Sequence, residues 1–144
     1  MDLSGKVCVI TGASSGIGKS LSIKFASRGA SVALAARRNS KLTSITDEIK
    51  QTGGNAIGIK TDITKSIECK NLIDETLDQY GRIDLLLLGA GVSMWTPFEK
   101  ISDISFFKDV MDTNYTGAVN CVHAALPHLI SSKGMVKQIR VYRL

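Results

Sequence analysis

Four apolar residues, Val7-Cys8-Val9-Ile10, lead without a break into a turn that carries three glycines, Gly12, Gly16 and Gly18. An unbroken apolar run suits a strand covered on both faces, as strands in the middle of a parallel sheet are. Ile17, Leu21 and Phe25 then recur at helical spacing, and Gly29 stops that helix. The same alternation continues along the chain. A strand over 31–36 is followed by a helix marked by Leu42, Ile45 and Ile49 and closed by Gly53-Gly54. A strand over 55–60 is followed by a helix outlined by Cys69, Leu72, Ile73, Leu77 and Tyr80 and closed by Gly81. The most apolar strand, 83–88, ends at Gly89-Ala90-Gly91. Phe106, Phe107, Val110, Met111, Tyr115, Val119, Val122, Leu126 and Leu129 trace one long helix over 104–131, and the segment from Met135 is a possible fifth strand. Strands alternating with helices in this way predict an α/β fold, a parallel sheet built with right-handed crossovers.

The 144 residues suit one domain, and 44% apolar with 22% charged residues is a globular composition. No apolar run approaches the ~20 residues of a membrane helix, and the first residues lack a signal-peptide core, so the expectation is a cytoplasmic protein without a membrane segment. The formal net charge of +5 is unevenly placed. Lys133, Lys137, Arg140 and Arg143 have no acidic neighbours beyond residue 132, and without them 14 basic and 13 acidic residues remain. A near-neutral body with a basic end argues against a nucleic-acid partner. Cys8, Cys69 and Cys121 are far apart in apolar stretches and read as buried small hydrophobes. His123 and His128 have no carboxylate partner, so no metal site is expected.

The turn Thr11-Gly12-Ala13-Ser14-Ser15-Gly16-Ile17-Gly18 sits between a strand and a helix. Glycine there permits a tight turn, keeps side chains away from an approaching pyrophosphate and lets the helix pack closely on the sheet. Bare amides at the helix entrance then face the anion, with Ser14 and Ser15 as further donors.

This turn resembles the cofactor turn of the short-chain dehydrogenase/reductase family, and three later segments resemble that family in order and spacing. Asp62-Ile63 follows the third strand, where the family has an acid that contacts adenine. Gly89-Ala90-Gly91 ends the fourth strand, where the family has Asn-Asn-Ala-Gly. Asn114 matches the Asn of the family's long helix. The resemblance covers residues 4 to about 134 and implies a Rossmann-like, doubly wound parallel sheet with flanking helices, incomplete at its C-terminal edge. It implies cofactor contacts at Gly12, Ser14, Ser15, Gly16, Ile17, Gly18, Asp62, Ile63, Gly89, Ala90 and Gly91.

NAD-binding domains of this kind place an acid after the second strand for the ribose 2′-hydroxyl. Here Ala36-Arg37-Arg38 stands in that place. Guanidinium groups bind a 2′-phosphate where an acid would repel it, so the cofactor expected is NADP(H), with Arg37 as the main contact and Arg38 or Lys41 in support.

The family moves its proton with a Tyr-x-x-x-Lys pair and polarises the substrate oxygen with a Ser on the fifth strand. Four residues after Tyr80 and Tyr115 come Asp84 and Val119, and Tyr142 is two residues from the last one. The chain therefore divides into a cofactor-binding unit over 1–134 and a divergent basic tail over 135–144. It reads as the cofactor half of an oxidoreductase acting on a carbonyl or secondary alcohol, without catalytic competence of its own. In the family Asn114's counterpart kinks the helix and helps hold a water beside the Lys; lacking that Lys, a polar residue of the helix interior is an equal reading. Leu88 and Gly89 replace the family's two asparagines, the first of which ties neighbouring strands, so a loosened strand end is expected. An early end to the sheet would leave apolar surface beside the fourth strand bare. The alternative function is an interaction module, in which the long helix 104–131 pairs with a full-length sibling in a homo- or hetero-oligomer.

Overall fold

The computed structural model describes residues 2–139. Five parallel strands form one sheet: β1 (Val7–Thr11), β2 (Ser31–Ala36), β3 (Asn55–Lys60), β4 (Leu85–Leu88) and β5 (Met135–Gln138), in the order β3-β2-β1-β4-β5. The helices are α1 (Gly16–Ala26), α2 (Asn39–Gln51), α3 (Ser66–Tyr80), α4 (Ser105–Met111) and α5 (Ala118–Ser132), with a short 3-10 turn at Phe98–Lys100. The expected doubly wound α/β architecture is what the chain adopts.

Successive strand residues point to opposite faces. Cys8, Ile10, Val32 and Leu34 pack with Ala26, Leu42, Ile45 and Ile49 of α1 and α2. Val9, Ala33, Ala35, Leu86 and Leu88 pack on the other side with Cys69, Leu72 and Ile73 of α3 and Cys121, Ala125 and Leu129 of α5. Each fully buried Leu or Ile in these layers contributes roughly 1.5–3 kcal/mol. All five residues of β1 are buried, which explains why its sequence does not alternate.

The first helix departs from the simple reading of its apolar spacing. It meets the sheet through Gly18, Ser22 and Ala26, while Leu21 and Phe25 are only half-buried and Ile17 is exposed. Small residues win the inner face because the helix begins so close to the end of β1 that larger ones do not fit.

The long helix is continuous but passes through a π turn at Asp112–Gly117 between α4 and α5. Its largest apolar side chains point away from the sheet; Met111, Tyr115, Val119, Leu126 and Ile130 are all exposed. Among the described residues no helix is long and apolar enough to cross a membrane.

Residues 135–138 are not a detached tail. They pair in parallel with β4, and the Ile139 amide donates to Leu88 O. The expectation of a bare fourth strand is thereby corrected: Leu86, Leu87 and Leu88 are buried, and the exposed apolar residues are Met135 and Val136 on β5 itself. Arg140, Tyr142 and Arg143 lie outside the described residues.

Asp84 clamps the starts of the two central strands. Its carboxylate accepts the Val7 amide at 3.0 Å, Lys6 Nζ at 3.3 Å, and Arg82 Nε and Nη2 at 2.9 and 2.7 Å. Burial pushes its pKa up, but the hydrogen bonds from Arg82, the Val7 amide and Lys6 outweigh that and hold it below the usual carboxylate value. A depressed folded-state pKa stabilises the fold above the unfolded value of about 3.9 and loses that contribution as pH falls through the folded value. Asp84→Ala leaves the buried Val7 amide without its acceptor, and a loss of about 2 kcal/mol is expected in urea denaturation at pH 7. The wild-type advantage should shrink below pH 4; an unchanged difference at pH 2.5 would contradict the assignment.

Candidate functional site

A cleft of about 1050 Å³ opens at the C-terminal ends of β1, β2 and β4. These strands flank the place where the chain, having laid β2 and β3 on one side of β1, crosses to lay β4 on the other. Ligands of open α/β sheets bind at that kind of switch point, because the strand ends and helix starts diverge there. A smaller groove of about 540 Å³ lies between α2 and α3 along the outer edge of β3, away from the helix starts.

The glycine turn forms one wall. Gly12 has φ +69°, and a Cβ on it would lie 2.5 Å from Gly89 O. A Cβ on Gly18 would lie 2.4 Å from Gly12 O, so helix, turn and fourth strand touch backbone to backbone. The Thr11 hydroxyl completes the seam by accepting the Gly89 and Ala90 amides at 3.1 and 3.2 Å. The loosened strand end expected from Leu88 is thus corrected, since Thr11 ties the end of β1 to the end of β4. In the sequence Thr11 stands out only as the first residue of the turn.

No side chain caps the N-terminus of α1, and no acid lies in its first turn. Amides at such a start carry roughly half a positive charge between them. Ser14, Ser15, Ile17 and Gly18 line the cleft here; Gly16, with φ +54°, shapes the turn without lining it.

Both arginines after β2 line the cleft, whereas Lys41 does not. Arg38 reaches back across the turn, its Nη2 donating to Ser14 Oγ at 3.2 Å and to Ser15 Oγ at 3.5 Å. Arg37 lies near Asp62. Burial raises the Asp62 pKa, but the hydroxyl and amide of Thr64, with Lys65 and Arg37 nearby, bring it below the usual value.

Asp62 and Ile63 form the far wall. The Asp62 amide donates to Glu68 Oε2 at 2.7 Å, and the Ile63 carbonyl accepts Asn120 Nδ2 at 3.0 Å. Glu68 and Asn120 were not singled out from sequence. An acid in the first turn of a helix was a signal for Glu68; nothing marked Asn120, whose partner is 57 residues away.

Asn114 sits in the π turn and is a backbone clamp. Its Oδ1 accepts the Val92 amide and its Nδ2 donates to Val92 O, both at 2.8 Å. A π turn widens the helix locally and presents the carboxamide to the loop after β4. Gly91, whose Cβ position lies 3.2 Å from Asn114 Oδ1, allows that approach. Gly89, Ala90, Gly91 and Asn114 all line the cleft, and Trp95, 72% exposed, stands at its mouth. No tyrosine or lysine among the described residues lines it.

Comparisons with known proteins agree with this architecture. The short chain dehydrogenase family profile matches residues 6–140, past the point where the motif-by-motif resemblance ended. The 11-beta-hydroxysteroid dehydrogenase 1A of Arabidopsis thaliana is 41% identical over 136 residues, covering 94% of this chain and 39% of the relative. The chain thus spans about two fifths of the length of the curated relatives it matches. A 7 alpha-hydroxysteroid dehydrogenase complexed with NADH and 7-oxo glycochenodeoxycholic acid superposes with a TM-score of 0.89 at 31% identity, covering 96% of this chain and 54% of that one. An alcohol dehydrogenase from the archaeon Thermococcus sibiricus complexed with 5-hydroxy-NADP superposes with a TM-score of 0.87 at 28% identity, covering 92% and 57%. A five-stranded parallel sheet, a glycine turn pressed against the fourth strand, and a profile match over nearly the whole length place this chain in the short-chain dehydrogenase family of oxidoreductases.

Proposed function

We propose that this chain binds NADP(H) and forms the cofactor half of an oxidoreductase that interconverts a carbonyl and a secondary alcohol. The observation that carries the reading is the convergence of positive groups in one cleft, where Asp62, beside Arg37, is the one acid among the lining residues. The uncapped start of α1, Ser14 and Ser15, and the Arg37 and Arg38 guanidinium groups line one cleft, Arg38 against the two serines and Arg37 toward Asp62. Gly12 and Gly18 let the turn, α1 and the end of β4 pack main chain to main chain, which keeps the first amides of α1 at the cleft.

When bound, the nicotinamide supplies or accepts the hydride. The chain's own residues bind and orient: amides of the glycine turn hold phosphate oxygens, Arg37 and Arg38 neutralise a 2′-phosphate, and Asp62 and Ile63 border the adenine. The two solved relatives carry an NADH and an NADP analogue respectively, so the fold accepts either cofactor and the choice rests with side chains after β2. The hydroxysteroid dehydrogenase names of several relatives accord with a secondary-alcohol substrate.

The 144 residues contain no Tyr-x-x-x-Lys, so by themselves they lack the group that protonates the substrate oxygen. A positioned acid or base contributes about 10²–10⁴ in rate, and these residues alone are expected to bind cofactor without turning over. Titration of the purified chain with NADPH and with NADH, followed by nicotinamide fluorescence, tests this; NADPH should bind more tightly by about tenfold or more. Equal affinities would reject the NADP(H) assignment, and absence of binding to folded protein would reject the site.

A second reading has its own support. Met111, Tyr115, Val119, Leu126 and Ile130 form an exposed stripe along the long helix, an apolar surface suited to a second subunit of the same family. Sedimentation at rising concentration should show self-association that Val119→Glu abolishes; a wild-type chain that stays monomeric, alone and with an intact sibling, would end this reading.

A further inference from the structure

Cys69 and Cys121 play no part in the cleft chemistry above, yet their sulfurs are 3.6 Å apart. Both residues are fully buried, one on α3 and the other on α5. Cys69 Sγ also reaches Ile63 O at 3.4 Å. That carbonyl has two donors, the thiol from α3 and Asn120 Nδ2 from α5. The Ile63 side chain is confined as well, since a Cβ on Gly117 would lie 2.7 Å from its Cδ1. The turn that borders the cofactor cleft is therefore held by the same two helices that the cysteines bridge.

We propose that Cys69 and Cys121 are a reversible thiol–disulfide switch that sets how firmly the Asp62-Ile63 turn is held against α3 and α5. That the turn borders a bound adenine rests on the cofactor reading; the switch itself does not.

A disulfide needs sulfurs about 2.05 Å apart, so the pair must close by roughly 1.5 Å, within reach of side-chain rotation and a small slide of one helix on the other. With a hydroperoxide as oxidant, Cys69 as thiolate attacks one peroxide oxygen. The O–O bond breaks, leaving a sulfenic acid and a hydroxide or alkoxide that takes up a proton. Cys121 sulfur then attacks the sulfenic sulfur, the S–S bond forms, the S–O bond breaks, and water leaves with the Cys121 proton. Two electrons pass from the sulfurs to the peroxide, and a dithiol returns them by exchange. The hydrogen bond from Cys121 lowers the Cys69 pKa, which suits Cys69 as the attacking thiolate; that bond and burial raise the Cys121 pKa, so Cys121 attacks as a thiol and gives up its proton to the departing water. Cys69 is the fourth residue of α3, near a helix end where local opening admits a small oxidant. Oxidation removes the Cys69 S–H, so Ile63 O loses one of its two donors while α3 and α5 are drawn together.

Cys8 is the internal control. It lies in the core layer on the opposite side of the sheet, where burial, with Asp84 nearby, pushes its pKa up to about 11.

The experiment treats the full chain with hydrogen peroxide, then with dithiothreitol. It reads thiol alkylation by mass spectrometry and hydrogen exchange over residues 61–65. The expected result is loss of the Cys69 and Cys121 thiols with Cys8 retained, faster exchange at 61–65, and recovery of both on reduction. Cys121→Ala should abolish the disulfide and the exchange change together. NADPH affinity should fall about fivefold on oxidation, the worth of one hydrogen bond. If all three thiols stay alkylatable, or Cys8 reacts equally, there is no switch. If the disulfide forms and exchange at 61–65 does not move, the coupling to the turn is wrong. If both respond but neither form binds NADPH, the switch stands and the cofactor reading falls.

Discussion

Gly18→Val is expected to abolish NADPH binding, raising the dissociation constant by more than about 100-fold, and to lower stability by roughly 1–3 kcal/mol. The cause is local and rigid. A Cβ at residue 18 lands 2.4 Å from Gly12 O, 2.9 Å from Gly12 C and 3.1 Å from Ala13 Cα, all main-chain atoms with no flexible side chain to give way. Relief requires α1 to lift off the turn, which carries its first amides away from the phosphates. Gly53→Ala is the matched control. Gly53 has φ +80° but open space around its Cβ position and lies beyond α2, so that variant should lose about 1 kcal/mol and bind normally. Isothermal titration and thermal melts of both variants decide the matter, and a normal affinity in Gly18→Val would remove the phosphate site from this turn.

Arg37→Asp is expected to reverse cofactor preference. A charge-assisted hydrogen bond contributes about 1.5–3 kcal/mol, so NADPH affinity should fall by roughly 10–100-fold. NADH affinity should hold or improve, because the new carboxylate can accept the ribose 2′-hydroxyl. The structure adds a refinement that composition alone does not suggest. Arg38, not Arg37, lies against Ser14 and Ser15, while Arg37 lies on the Asp62 side. Arg38→Ala should therefore weaken NADPH by a comparable factor and leave NADH unmoved. If neither arginine variant changes the ratio of the two affinities, the two guanidinium groups are surface charges and the NADP(H) assignment fails.

The exposed stripe on the long helix shows where pattern reading stops. Phe107, Met111, Tyr115 and Val119 have helical spacing and mark the helix correctly, but the face that meets the sheet carries Gly117, Cys121, Ala125 and Leu129. Periodicity detects that a face is apolar; it does not say whether the sheet or a partner covers it. Residues 135–138 make the same point in reverse. Their basic, mixed sequence reads as a departure, yet the backbone completes β5 because a parallel strand needs only unpaired main-chain groups on β4 and a register that matches.

By itself, the sequence settled what depends on neighbours in the chain: the strand-turn-helix unit at residues 7–26, the alternation that makes the sheet parallel, and the absence of an acid after β2. Local spacing and residue chemistry suffice for these, since each involves residues within a few turns of one another. Only the tertiary structure settled the Thr11 tie to Gly89 and Ala90, the Asp84 clamp on Val7, the Asn114 grip on Val92 and the approach of Cys69 to Cys121, whose partners are 22 to 79 residues apart. Those contacts follow from how helices and strands are stacked, and stacking is set by the summed packing of both core layers, which no short stretch of chain encodes.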